Sequence, residues 1–403
     1  GFVTDSPIRG HIQDPSLLPD DKITLDDTRA DIGFNYKLAR ENQIWLKFGG
    51  GEGHNQIHGD LFFPAIANLP GSSLSPSGTL DKFDTKIKQH DIQFLHALAV
   101  TDNLEIQWGI EYSAQDKPIT LDLTFSPISF HKTQRHEVDV TSIWAGLNYS
   151  FSPALTAQLE LHHQQTDSRL NEHVDVKFSG VPAGTSDTIT NDDHSEINPR
   201  VGIKWSPLTG NLLRFAYQRW RHPASINTLA PADTLGIALN DRLVTAGGLY
   251  QQTRLQYEWN NVIDTTFFMA FADHEKVHNL LSPGQSIAAD FELTELENLR
   301  NRRLVFGAPY DYYEGTPEFG EGEIDSFGVA LNHLLTPRQS VAISYVYADS
   351  RNTGQAFSGL ELPFLPHHTV RLASQWMLPH KWALGFVANW RSARFQDEDN
   401  LEP

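Results

Sequence analysis

The residues best equipped for chemistry are His274, Glu275 and His278, in the run HEKVH, which matches H-E-x-x-H. On a helix that spacing turns two imidazoles to one face, where they bind zinc while the glutamate polarises a water for peptide hydrolysis. The run follows the strand-like TTFFMAFAD, and a third ligand would have to come from Glu295 or Glu297 in the loop beyond it. Zinc peptidase chemistry is therefore an alternative to reading the same residues as polar positions at a strand exit. His54 and His58 share the i, i+4 spacing, but GGGEGHNQIHG is too rich in glycine to hold a helix. His162-His163 and His367-His368 are adjacent, so on strands each pair points to opposite faces and cannot chelate together. No G-x-S-x-G elbow and no Walker loop occurs. Nothing here compels an enzyme, and the expectation is of no catalytic site, no metal site and no cofactor.

A second polar set matters through its parity. Glu105, Gln107, Glu111, Gln158, Glu160, Arg200, Lys204, Arg214, Gln218, Arg254, Glu258, Arg371 and Gln375 alternate with apolar neighbours. On strands they line one face, and both charge signs occur. Two uses are open: a wet lumen whose transverse field tunes the passage of polar solutes, or a cross-strand ion-pair ladder that only fills the interior.

The elements that must position this set are hairpins. In Ser142 to Gln164, Ile143, Ala145, Leu147, Tyr149 and Phe151 share one parity, and after Ser152-Pro153 the alternation resumes with Leu155, Ala157, Leu159 and Leu161. Each arm approaches the roughly 9 to 11 residues of a tilted strand that crosses a bilayer. The pattern recurs: Ile32, Phe34 and Tyr36 return as Ile44, Leu46 and Phe48, and Ile92 and Phe94 as Ile106, Trp108 and Ile110. It continues with Val201 and Ile203 returning as Leu213 and Phe215, and Leu255 and Tyr257 as Phe267, Met269 and Phe271. Phe327 and Val329 return as Val341 and Ile343, and Val370 and Leu372 as Leu384 and Phe386. The count is about seven hairpins and about 14 strands. Within hairpins the connections are short; between them, loops are expected from Gly49 to Leu80, to about Glu137, to about Ser195, from Arg221 to Gly248 and from His274 to Gly322. That asymmetry predicts an all-β antiparallel transmembrane barrel over residues 25–403, with short periplasmic turns and long extracellular loops. Trp205, Trp259, Trp376 and Trp382 flank short turns, where an aromatic girdle meets the membrane interface. A soluble all-β protein is the competing fold, and it requires the apolar faces to bury against another sheet.

Bulk properties agree. Mean hydropathy is -0.38, and no run approaches the roughly 18 apolar residues of a membrane helix, as barrel strands require none. The absence of cysteine argues against a disulfide scaffold and thiolate metal sites. A formal charge of -19 argues against a nucleic-acid partner on electrostatic grounds. The acidic cluster Asp311, Glu314, Glu318, Glu321, Glu323 and Asp325 reads as a solvated surface, with cation binding as its alternative. Residues 1–24 read as a leader or the tail of an upstream domain. With no initiating Met and a loop-like DEDNLEP end, a processed fragment lacking its last strands is expected.

NPRVGIKWSPLTGNLLRFAYQRWRHPA, from Asn198 to Ala224, resembles the barrel signature of TonB-dependent receptors, and LPFLPHHTVRLASQW, Leu362 to Trp376, resembles a later segment of such barrels. SINTLAPADTLGI and NLRNRRLVFGAP look similar to the C-terminal barrels of outer-membrane proteins that carry tetratricopeptide repeats upstream. The resemblance covers about the second half of the chain, and neither a plug nor an energy-coupling box is recognisable before Thr28. It implies a location in the bacterial outer membrane and a channel or receptor for a solute or polymer. The partners it implies are lipid and lipopolysaccharide, with a periplasmic protein or an upstream repeat domain. The lining set carried forward is Glu105, Glu111, Glu160, Arg200, Lys204, Arg214, Arg254, Glu258 and Arg371.

Overall fold

A computed structural model describes residues 22–39, 41–62, 77–223, 228–231, 233–239, 244, 247–260, 265–279, 319–355, 357–363, 365–379, 382–395 and 400. The strands are β1 (Lys22–Ala39), β2 (Asn42–Phe62), β3 (Ser77–Thr101), β4 (Leu104–Phe125), β5 (Ile128–Ser152), β6 (Leu155–Phe178), β7 (Val181–Trp205) and β8 (Asn211–Arg221). They continue as β9 (Asp233–Thr234), β10 (Ile237–Ala238), β11 (Leu249–Asn260), β12 (Thr266–His278), β13 (Glu321–Thr336), β14 (Gln339–Asn352), β15 (His368–Met377) and β16 (Ala383–Arg391). One 14-stranded antiparallel sheet runs in chain order from β1 to β8 and on from β11 to β16, while β9 and β10 pair only with each other. The wall is therefore the all-β antiparallel barrel architecture that the alternation predicts.

One end of the wall is made of tight reversals. Thr101, Ser152 and Thr336 each accept a hydrogen bond from the backbone N–H two residues on, at 3.3, 3.3 and 3.2 Å. This hydroxyl-anchored turn reverses the chain in very few residues.

Just beyond those turns the outer face is apolar. Register sets Ile106 opposite Leu147, Leu147 opposite Leu159 and Leu159 opposite Val201, so the band runs on across neighbouring strands. Leu104 to Tyr112 spans about 27 Å along the strand at about 3.4 Å per residue, or about 21 Å across a bilayer at a tilt near 40°. Among the described residues no second sheet covers this face, and Ile143 and Phe151 remain 50% and 62% exposed. A soluble sandwich would bury them, so that reading is set aside.

Two segments differ from the loops expected of them. β4 and β5 stay paired from Tyr112 and Thr141 up to Phe125 and Ile128, and β6 and β7 stay paired up to Phe178 and Val181. What reads as loop is a tall hairpin in each case. β2 likewise carries Gly49 on to Phe62, and β3 begins at Ser77. The reason is a change of phase: on β4, Leu104, Ile106, Trp108 and Ile110 face out, but Ile119, Leu121 and Leu123 face in and are buried. Period two persists while the apolar parity reverses. β12 departs in another way. Met269 lies opposite Glu258 and Phe271 opposite Gln256, so Phe267, Met269 and Phe271 point inward, and Phe268, Ala270 and Ala272 take the outer face. The guanidinium of Arg254, 3.9 Å from the Phe271 ring centroid, stabilises that inward ring.

Candidate functional site: the inner wall and the segment packed on it

The HEKVH run lies on β12 in extended form, with His274, Lys276 and His278 on the outer face and Glu275 buried on the inner one. At about 3.3 Å per residue the two histidines stand about 13 Å apart, which no single zinc ion with bonds of about 2.0 Å can bridge. Each meets a carboxylate on β13 instead: His274 Nδ1 lies 2.7 Å from Asp325 and His278 Nδ1 2.9 Å from Glu321, with Lys276 paired to Glu323 between them. This cross-strand ladder overturns the zinc peptidase alternative. It also absorbs the described acids of the Asp311–Asp325 cluster, while Glu295, Glu297 and residues 311–318 lie outside the described residues. Among the described residues no group of three potential ligands is arranged to hold a metal. His54 is on β2, 2.9 Å from Asp84.

Much of the polar set is buried or half-buried and joined in a chain of hydrogen bonds, while Gln375 is exposed. Glu160 on β6 accepts from Arg200 Nη1 at 3.0 Å and from His162 Nε2 at 3.2 Å. Arg200 Nη2 donates to Gln218 at 3.2 Å, and Gln218 Nε2 to Gln252 at 2.9 Å. Gln252 donates to Asp273 at 2.7 Å, and Asp273 also accepts from Arg254 at 3.3 Å. Arg254 Nε reaches Gln256, Gln256 reaches Glu258, and Arg214 Nε closes the run on Glu258 at 2.7 Å. Glu160, Arg200 and Gln218 are all but inaccessible to solvent. Such charges persist in an interior only when paired and hydrogen-bonded. Elsewhere on the inner face, Glu105 accepts from Gln107 at 2.9 Å, and Lys204 and Arg371 lie half-buried on β7 and β15. Trp205, Trp259 and Trp382 are exposed and Trp376 half-buried, all near the short-turn end.

The ring stack behind Glu160 fixes its surroundings. Trp144 stacks on His162 with centroids 5.6 Å apart, His162 meets Trp220 edge-on at 5.3 Å, and the Arg200 guanidinium sits 5.4 Å from the Trp220 centroid.

The part that alternation cannot reveal is residues 228–231 and 233–239, which pack on the inner face of the wall. Thr228 donates to Glu111 at 2.6 Å, and the Leu229 N–H donates to Gln93 at 2.6 Å. Arg200 donates to the Pro231 carbonyl at 2.7 Å, Thr234 to Gln218 at 2.8 Å, and the Leu235 N–H to Gln158 at 2.8 Å. Arg214 bonds the Leu235 carbonyl, and Gln218 the Ile237 carbonyl at 3.2 Å. Ala230 enters the same core as Trp144 and Trp220, with Leu95 and Leu239 against it. β9 and β10 make a minimal hairpin, with Thr234 opposite Ile237. Its two turn residues, Leu235 and Gly236, have φ of 49° and 84°, the geometry of a type I′ reversal. Asp233 caps the turn by accepting the Gly236 N–H at 2.7 Å. The sequence does carry one signal for it, an Asp three residues ahead of a Gly in Asp233-Thr234-Leu235-Gly236.

A family model described as TonB dependent receptor-like, beta-barrel, matches residues 2–402. No curated protein sequence matches the chain. Among solved structures, the ferric yersiniabactin uptake receptor FyuA from Yersinia pestis superposes with a TM-score of 0.63 at 12% identity, over 97% of this chain and 53% of the receptor. The siderophore receptor PiuA from Acinetobacter baumannii gives 0.59 at 13% identity, over 94% of this chain and 56% of the receptor. The ferric-catecholate import receptor Fiu from E. coli K12 gives 0.59 at 12%, over 92% and 54%. The chain thus spans about half the length of these receptors, and the likeness is one of fold.

Proposed function

The chain belongs to the TonB-dependent receptor-like β-barrel family of the bacterial outer membrane, and from that premise we propose that it binds a polar solute at its far end and admits it through the barrel interior. The short reversals then lie in the periplasm and the tall hairpins β4–β5 and β6–β7 stand at the cell surface, where they make first contact. Lipid and lipopolysaccharide surround the apolar band. The observation that carries the reading is the combination of an exposed apolar outer face with an inner face of hydrogen-bonded Glu160, Arg200, Gln218, Arg214 and Glu258. Because those charges are paired and covered, a receptor with a closed resting state fits better than a passive pore of standing transverse field. Ferric chelates, the ligands named for the solved neighbours, are the first solute class to try.

The test is uptake of radiolabelled ferric chelates by cells expressing the protein, against cells lacking it, after heat-modifiable gel mobility has verified a folded barrel. Accumulation above the control supports the reading. A folded barrel that neither binds nor accumulates any chelate removes the ferric class. A chain monodisperse in plain buffer with no heat-dependent shift removes the membrane reading itself. Export of a polymer, with upstream tetratricopeptide repeats as the feeding domain, is the second reading. It is favoured by the resemblance of SINTLAPADTLGI, whose described residues are those packed against the inner wall, and it predicts efflux in place of uptake.

A further inference from the structure

We propose that the free edge of β7 above the end of β8 is a docking site for a partner polypeptide, whose extended cationic segment adds to the sheet as one further strand. The inference rests on the outer-membrane placement of the tall hairpins and not on any ferric chelate. β7 pairs with β6 as far as Val181, but with β8 only from Arg200 to Trp205. β8 ends at Arg221, where the His222 N–H donates to the Gly248 carbonyl, and the chain then crosses to the inner face, where the Leu229 N–H meets Gln93. Among the described residues no strand takes up the lane that β8 leaves. At the foot of the β6–β7 ladder the Ser206 N–H donates to the Ala154 carbonyl at 2.8 Å, and from Trp205 to Gly184 the register does not shift. Successive residues of an antiparallel strand bond to opposite sides. Even-numbered residues of β7 therefore bond to β6, while Thr185, Asp187, Ile189, Asn191, Asp193 and Ser195 turn their N–H and C=O groups to the open side. From Gly184 to Ile197 this edge is about 44 Å long.

Sheet edges are normally guarded by proline, lysine, a bulge or shortness. Between Gly184 and Ile197 there is no proline and no lysine, and the pairing with β6 has no bulge. What this edge carries is acid, and the acid selects the partner. Asp139, Asp167 and Asp193 stand directly opposite one another on the outer face of β5, β6 and β7, and the row ends at the open side. Asp139 accepts from Tyr112 at 3.0 Å and Asp167 from Gln165 at 3.3 Å, both neutral donors. Among the described residues no lysine or arginine pairs with any of the three. Like charges held opposite each other destabilise a sheet, so a Lys or Arg on a strand added beyond Asp193 would relieve the row. Asp187 offers a second carboxylate on the same face. Between them Ile189, 63% exposed although it lies above the apolar band, gives an apolar cross-strand contact. A second copy of β7 does not fit, because residues 181–199 carry Asp187, Asp192, Asp193 and Glu196 and no Lys or Arg. Main-chain bonds would supply the attachment and the carboxylates the choice of sequence, as in other cases of strand addition.

The full chain, folded in detergent micelles and verified by heat-modifiable mobility, is titrated with a short fluorescein-labelled peptide of alternating Thr and Lys, and binding is read by anisotropy. The expected result is saturable binding that weakens at least about tenfold when alternate peptide nitrogens are methylated, since several main-chain hydrogen bonds are then lost. A peptide of alternating Thr and Glu should not bind. Asn191→Pro removes an N–H from the open side only, where an edge strand tolerates proline, and should weaken binding about two- to tenfold. Asp167→Asn/Asp193→Asn should weaken it by up to about fivefold. In hydrogen exchange the open-side amides of β7 should exchange freely in the protein alone and become protected with the peptide, while the even-numbered amides between them stay protected throughout. No binding of the Lys peptide, or equal binding of the methylated and unmethylated forms, overturns the proposal. So do open-side amides already protected in the protein alone, which mean that the edge is covered. Self-association abolished by Asn191→Pro assigns the edge to a second copy and overturns the cationic partner. Where Asn191→Pro does not fold, the methylated peptide and the exchange pattern decide, since neither needs a variant. No chelate enters the assay, so a failure here is told apart from a failure of chelate uptake.

Discussion

The lower and upper halves of the β4–β5 pair are one continuous ladder in two different solvents. Near the short turns, Ile106, Trp108, Ile143 and Leu147 face outward and stay exposed, while Glu111 and Ser142 are buried inside. Past Tyr112 and Thr141 the roles exchange. Ile119, Leu121, Val138 and Val140 become the buried interior, and Asp116, Arg135, Glu137 and Asp139 face out, with Arg135 and Asp116 paired at 2.9 Å. The backbone is the same throughout, so the exchange reports the surroundings: hydrocarbon outside the lower half, water outside the upper half. The level at which it occurs marks the edge of the bilayer on these strands.

The largest expected effect lies inside the lower half. Arg200→Met leaves the Glu160 carboxylate buried with its charged partner gone, which costs about 3 to 5 kcal/mol. It should lower the denaturant midpoint of refolding in lipid vesicles accordingly, and Glu160→Gln added to it should restore much of the loss. A double variant no better than the single would mean that Glu160 is already neutral or solvated. In the upper half the equivalent interior change is apolar. Leu121→Ala should cost about 2 to 5 kcal/mol, as cavity formation in a packed core does, where a wet interior would give almost nothing.

The outer face separates the halves most directly. Leu147→Arg puts a charge into the middle of the apolar band and should cost about 2 to 4 kcal/mol in vesicles, while Thr120→Arg, on the outer face of the upper half, should stay within about 0.5 kcal/mol. Equal costs at the two positions would show that both face the same solvent.

The same exchange explains how much could be read beforehand. Strand existence, the short reversals at Thr101-Asp102-Asn103 and Thr336-Pro337-Arg338, and the inward parity of Glu160, Arg200, Arg214 and Glu258 follow from alternation alone, because one greasy face is what lipid demands. The upper hairpins look like loops in the sequence because Ile119, Leu121 and Leu123 fall on the opposite parity to Ile106, Trp108 and Ile110. A pattern sought in constant phase stops at the membrane edge. Phe267, Met269 and Phe271 point inward against their apolar pattern because three apolar residues at spacing two look alike whether they meet lipid or, as Phe271 does, the guanidinium of Arg254. The internal hairpin is illegible for a deeper reason: Leu235 and Gly236 announce a turn, but nothing local says that the turn lies within a barrel, since its partners Gln93 and Glu111 are far away in sequence.

The smallest expected effect lies at the top of the upper half, where water is on every side. His173 stands on β6 well beyond the apolar band, between Asp187 at 2.7 Å and Asp175 at 3.2 Å. Its bond to Asp187, then that to Asp175, holds its pKa above the usual histidine value. A raised folded pKa means that the interaction contributes in full below the unfolded value of about 6.5 and fades as the pH climbs through the folded one. The β6–β7 tip should therefore exchange its amide hydrogens faster, relative to intrinsic rates, as pH rises from below that value to above it. His173→Gln should flatten the change. The lower half, buried in lipid on one side and hydrogen-bonded on the other, should show no such step, and a step of equal size in both halves would mean that the tip histidine is not its source.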